Sequence, residues 1–144
     1  MPSRSEESLS RTKKGILQIQ IDKEKEVTER NLERVQLDNE ITSLSRQFLE
    51  DCYQKIDQAS DSGLRSVKVA ADQKRTIIAG LHQKYQRLHY KEFDDAFDSF
   101  LERVVILLAN NENRYQVSAK SYLEHYTHDD MPCQARRWYM QIDW

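Results

Sequence analysis

The sequence predicts an all-α protein in which long amphipathic helices form an elongated antiparallel coiled-coil hairpin or three-helix bundle, with a short C-terminal helix. Three observations lead there. Proline is missing from residue 3 to residue 131, and since one proline costs a helix interior about 3 kcal/mol, so clear a stretch permits very long helices. Apolar residues recur every three or four positions over most of the chain, which is the helical period. Charged residues make up 32% against 38% apolar, a ratio that favours an extended shape over a sphere. Ile, Leu, Val and Phe are still 33 of the 144 residues and the net charge is only −2, so the chain is not a disordered polyelectrolyte.

Residues 1–12 are mostly Ser, Arg and Glu with one leucine. They offer too little apolar surface to offset ordering entropy, and a flexible tail is predicted. The helical domain is placed at residues 13–128. From Ile16 a first stripe takes in Val27, Leu37, Ile41, Leu44, Phe48, Cys52, Ile56 and Ala59, and an unbroken helix over 16–60 would be a rod of roughly 65 Å. The segment "ASDSGLRS" gathers helix-weakening residues around Gly63, so the first break is expected at 61–63.

A second stripe carries Val67, Ala71, Ile78, Leu81, Tyr85 and Leu88 on one helical face, and a third carries Phe93, Phe97, Phe100, Val104, Leu107 and Leu108. Between them, near 89–92, the pattern shifts either by a turn or by a stutter within one helix. The run "VVILLA" at 104–109 would pass for a buried strand in isolation, but the phenylalanine spacing leading into it assigns it to a helix. "NNENR" at 110–114 suits a helix end and a new cap. A further stripe, Tyr115, Ala119, Tyr122, Leu123 and Tyr126, follows.

The chain closes with "HYTHDDMPCQARRWYMQIDW". His125, His128, Asp129, Asp130 and Cys133 are potential metal ligands, and a His-x-x-His pair on a helix can aim two imidazoles at one ion. No known metal motif is completed, and helix-end histidines followed by an Asp-Asp-Met-Pro cap account for the same residues; no metal and no cofactor is expected. In residues 129–144, Ala135, Trp138, Tyr139 and Ile142 fall at i, i+3, i+4 and i+7. That spacing predicts a short aromatic helix, and Trp138, Tyr139, Ile142 and Trp144 are its candidate partner-binding anchors. The same segment could instead cap the chain's own core.

Charge is strongly segregated. Residues 62–91 carry +6 and residues 92–112 carry −5. Arg65, Lys68, Arg75, Lys84, Arg87 and Lys91 therefore form a candidate face, either for charge pairing or for nucleic acid. Lys68, Arg75, His82 and His89 recur every seven residues, as a flank beside a coiled-coil seam would. Pairing uses both charge blocks, whereas phosphate binding leaves the acidic one repulsive.

No Gly-rich phosphate loop, nucleophile elbow or zinc-finger spacing is present, and Cys52 lies in line with Phe48 and Ile56 as a core thiol would. The expected protein is a non-enzymatic scaffold or adaptor, homo-oligomeric, acting through coiled-coil helices and its C-terminal aromatic segment. The alternative is a nucleic-acid-binding accessory protein using a basic helix over 65–91. With no apolar run of transmembrane length and no signal-type segment, no membrane span and a cytoplasmic location are expected.

Overall fold

The computed structural model describes residues 3–110 and 112–144. Helix α1 spans Arg4–Asp61, 58 residues in one piece. Strand β1 (Ser66–Ala70) follows, then helix α2 (Asp72–Gly80), a turn of 3-10 helix at Leu81–Gln83, helix α3 (Tyr90–Leu108), and strands β2 (Gln116–His128) and β3 (Met131–Asp143). The strands form one antiparallel sheet in the order β1-β3-β2.

The chain is therefore α+β, and the all-α expectation is overturned. Three corrections follow. Among the described residues there is no helical bundle or coiled-coil hairpin, and residues 116–143 form a long β-hairpin where a last stripe and a short aromatic helix were expected. Residues 66–70 are a strand, so the proposed basic helix over 65–91 is divided among β1, α2, the 3-10 turn and the approach to α3. The seven-residue series Lys68, Arg75, His82, His89 consequently lies on four different pieces of backbone and makes no common flank. The expected N-terminal tail is helical from Arg4 onward, started by a capping box in which Ser3 Oγ accepts from the Glu6 N–H and Glu6 accepts from the Ser3 N–H.

Helix α1 ends where its composition weakens. Gly63 takes φ +81°, its N–H donates to the Ser60 carbonyl, and the Leu64 N–H donates to the Ala59 carbonyl. That pair of bonds is a Schellman cap, which needs a left-handed residue at this position. The chain turns back, and β1, α2 and the 3-10 turn climb alongside α1, reaching Glu40 through Lys84 and Glu33 through Arg87. The pattern shift near 89–92 is a turn: His89 donates its N–H to Glu92 and opens α3. Helix α3 then descends parallel to α1, matching Glu92 with Arg34 and Arg103 with Asp38 and Thr42, and beyond its end Asn113 meets Tyr53.

The core lies between the C-terminal half of α1, α3 and the inner face of the sheet. Phe48, Cys52, Ile78, Phe100, Val104, Leu108, Met140 and Ile142 are all nearly or wholly buried, and Phe48 meets Phe100 at a centroid distance of 5.4 Å. "VVILLA" is helical up to Leu108, as the phenylalanine spacing requires.

Candidate functional site

Two parts of the molecule extend beyond this core. The first is the N-terminal part of α1. Every residue from Arg4 to Thr28 is exposed, and at 1.5 Å per residue this makes an arm of roughly 37 Å. It carries Leu9 (55% exposed), Ile16 (54%), Leu17 (57%), Ile19 (55%) and Val27 (53%). Leu9 and Ile16 stand in the same seven-residue series as Leu37 and Leu44, and Val27 in the same series as Ile41 and Phe48. The apolar residues of arm and body thus lie on one side of the helix, with Gln20, Lys23, Arg30 and Arg34 between them. The chain covers its C-terminal part and leaves the rest open.

The boundary is built from charge. Arg87 reaches Glu29 at 2.8 Å and Glu33 at 3.3 Å, and Glu33 also accepts the Arg87 backbone N–H at 3.2 Å. Lys84 pairs with Glu40 at 3.0 Å. Its pKa is raised by that hydrogen bond, with Tyr85 and the Glu40 charge adding to it. Next to Glu33, Arg34 donates to Glu92 at 2.6 Å. Burial alone would raise the Glu92 pKa, but the bonds from Arg34 and from the His89 N–H hold it below the usual carboxylate range.

The second extension is the β2–β3 ribbon. Strand β1 pairs only with residues 139–143 of β3, so residues 121–128 and 131–138 form a two-stranded arm. It turns through Asp129 and Asp130 at φ +50° and +60°, the positive values that a tight two-residue hairpin requires. The capping and metal readings of this segment both assumed a helix. On a strand, His125 and His128 point to opposite faces, and no cluster able to hold a metal occurs among the described residues.

The predicted anchors are now placed. Ile142 is fully buried in the chain's own core. Trp138 is half-buried, packs edge-on to Phe97 at 5.8 Å, and has the Arg75 guanidinium 4.0 Å above its ring. Tyr139 lies on the outer sheet face, 5.9 Å from Tyr122 and under Lys68 at 5.2 Å. Trp144 packs on Tyr115 at 6.3 Å. Lys68, Tyr122, Trp138 and Tyr139, with Ala70 and Asp72, line an open cavity of about 500 Å³.

The basic candidates are dispersed rather than gathered. Lys68 and Arg75 lie over the chain's own rings, Lys84 and Arg87 pair with acids of α1, and Arg65 and Lys91 are exposed at separate points. The acids that answer the basic block are those of α1, not those of residues 92–112. Cys52 is fully buried, and burial, helped by the Asp51 charge, pushes its thiol up to about 12.

The arm was not foreseen, because Leu9 was assigned to a flexible tail and the residues from Ile16 onward to the first stripe of a bundle. The signal was Leu9 itself, which stands seven residues before Ile16 in the series that Leu37 and Leu44 continue beyond Lys23 and Arg30. No helix among the described residues is long and apolar enough to cross a membrane. The chain matches no protein family, no curated protein and no solved structure.

Proposed function

We propose that this protein is a non-enzymatic scaffold or adaptor of the cytoplasm, and that it works by docking another α-helix on its N-terminal arm. One observation carries the reading: apolar residues in the core-facing series of α1 recur past Glu29, where the body ends, at Val27, Ile16 and Leu9, and all three are open to solvent. A lone helix of this length is marginal in water, more so with Gly15 and three isoleucines in it. A second helix on the stripe removes Leu9, Ile16, Ile19 and Val27 from water at about 25 cal/mol per Å². The free thiols of Cys52 and Cys133 suit a reducing compartment. The engagement of Lys84 and Arg87 by Glu40, Glu29 and Glu33 favours this reading over one in which residues 65–91 bind phosphates.

Site-specific photo-crosslinkers along the arm, in the native cell, test it. Helix docking predicts adducts to protein at Leu9, Ile16 and Lys23 and weak labelling at Gln18 and Lys25 on the opposite side. Equal yields on both sides, or none, would refute the proposal.

A further inference from the structure

The geometry points to the occupant of the arm: we propose that it is the arm of a second copy of this chain, running antiparallel and centred near residue 18. This rests on the reading of the arm as a helix-docking surface and goes further by fixing partner and direction.

Three observations select it. The first is where the body sits. The stripe that is open at Leu9, Ile16 and Val27 is filled at Leu37 and Ile41 by the chain's own α3 and residues 84–88. A parallel second copy would bring its own body to the same level on the same side, where the seam is already occupied. An antiparallel copy places the two bodies at opposite ends. Its α1 starts at the Ser3 cap, which comes level with Glu33 of the first copy, so the overlap closes where the covered seam begins.

The second is charge. Residues 10–14 hold Arg11, Lys13 and Lys14 with no acid, and residues 22–29 hold Asp22, Glu24, Glu26 and Glu29 against Lys23 and Lys25. Antiparallel overlap brings the basic segment of each copy level with the acidic segment of the other, twice by symmetry, and of these charges Lys13, Glu24 and Glu26 lie beside the seam. Parallel overlap would set like against like.

The third is the position of the apolar residues about residue 18. Leu9 meets Val27 of the second copy at either end, Ile16 meets Gln20, and Leu17 and Ile19 each flank the two-fold axis next to their own symmetry mates. Lys13 and Lys23 share one polar layer, whose long stems lie along the apolar seam and carry their ammonium groups outward toward Glu24 and Glu26.

The test uses the full chain with Cys133→Ser as background. Leu9→Cys and Val27→Cys are introduced in separate preparations and oxidised mildly, alone and mixed. The proposal expects a dimeric mass by light scattering, and a mixture that crosslinks at least ten-fold faster than either variant alone. Ile16→Asp combined with Ile19→Asp should give a monomer whose body melts as before. Fast crosslinking of Leu9→Cys with itself would overturn the antiparallel arrangement. A monomeric mass for the unmodified chain would overturn self-pairing altogether, while stripe-specific adducts to a different protein would leave the docking role of the arm standing.

Discussion

Arg87 holds Glu33 twice, through its guanidinium at 3.3 Å and through its backbone N–H at 3.2 Å. Glu33 is the one charged residue among the buried core-facing positions of α1, and this contact marks the point at which the arm leaves the body. Removing the carboxylate strands a backbone donor at a part-buried site. Glu33→Ala is expected to lower unfolding free energy by about 1–3 kcal/mol, and Glu29→Ala, which loses only a surface pair, by less than about 1 kcal/mol. Urea titration of both variants gives the comparison.

The centre of the body depends on Phe100, fully buried between Phe48 and Phe97. Phe100→Ala should cost about 3–5 kcal/mol through lost burial and the cavity left behind. Val35→Ala, at a residue of α1 that is 58% exposed, should stay within about 0.5 kcal/mol. A similar cost at both positions would place the core elsewhere.

Gly15 lies inside the arm, and a Cβ there meets nothing within 4 Å. Gly15→Ala should stabilise the helix by about 0.5–1 kcal/mol. Amide exchange over residues 10–20 should slow by up to about five-fold, with exchange in α3 unchanged.

The two thiols should behave differently. Cys133, half-buried on the ribbon, should react with a disulfide reagent in the native protein, and buried Cys52 only after unfolding. Because the folded pKa of Cys52 is raised to about 12, the unfolded chain loses this proton first as pH climbs. The stability held by the neutral thiol is complete below about pH 8.5 and falls by about 1.4 kcal/mol per pH unit above it until the folded pKa is reached. Cys52→Ala should flatten that part of the stability profile between pH 9 and 11.

At the ribbon turn, Asp130 adopts φ +60°, a conformation that glycine enters without steric cost. Asp130→Gly should stabilise the hairpin by up to about 1 kcal/mol and slow amide exchange along residues 122–136. Asp130→Val, branched at Cβ, should act in the opposite direction.

Periodicity identified which side chains face inward better than it identified the backbone carrying them. Ala71, Ile78, Tyr85 and Leu88 were grouped on one face and are all buried, yet they lie on a loop, a helix and a turn rather than on one helix. Helices α1 and α3 were readable because their stripes repeat over many turns, and the α1 stop at Gly63 because a left-handed cap favours glycine. The sheet was hidden by coincidence of periods. Trp138, Met140 and Ile142 alternate as a strand requires, while Ala135, Trp138, Tyr139 and Ile142 satisfy helical spacing in the same residues. Over so short a segment the two patterns cannot be separated without the partner strand. The pairing of Val67 and Val69 with Ile142 and Met140 is the deciding contact, and it joins residues more than seventy positions apart.

Helix α1 passes from body to arm with no proline and no break, so the two behave as a single shaft. Turning the shaft turns the head. Each residue inserted near position 18 would lengthen it by about 1.5 Å and rotate everything beyond by about 100°, so the molecule meters both distance and bearing between whatever grips the shaft and whatever the β-ribbon meets.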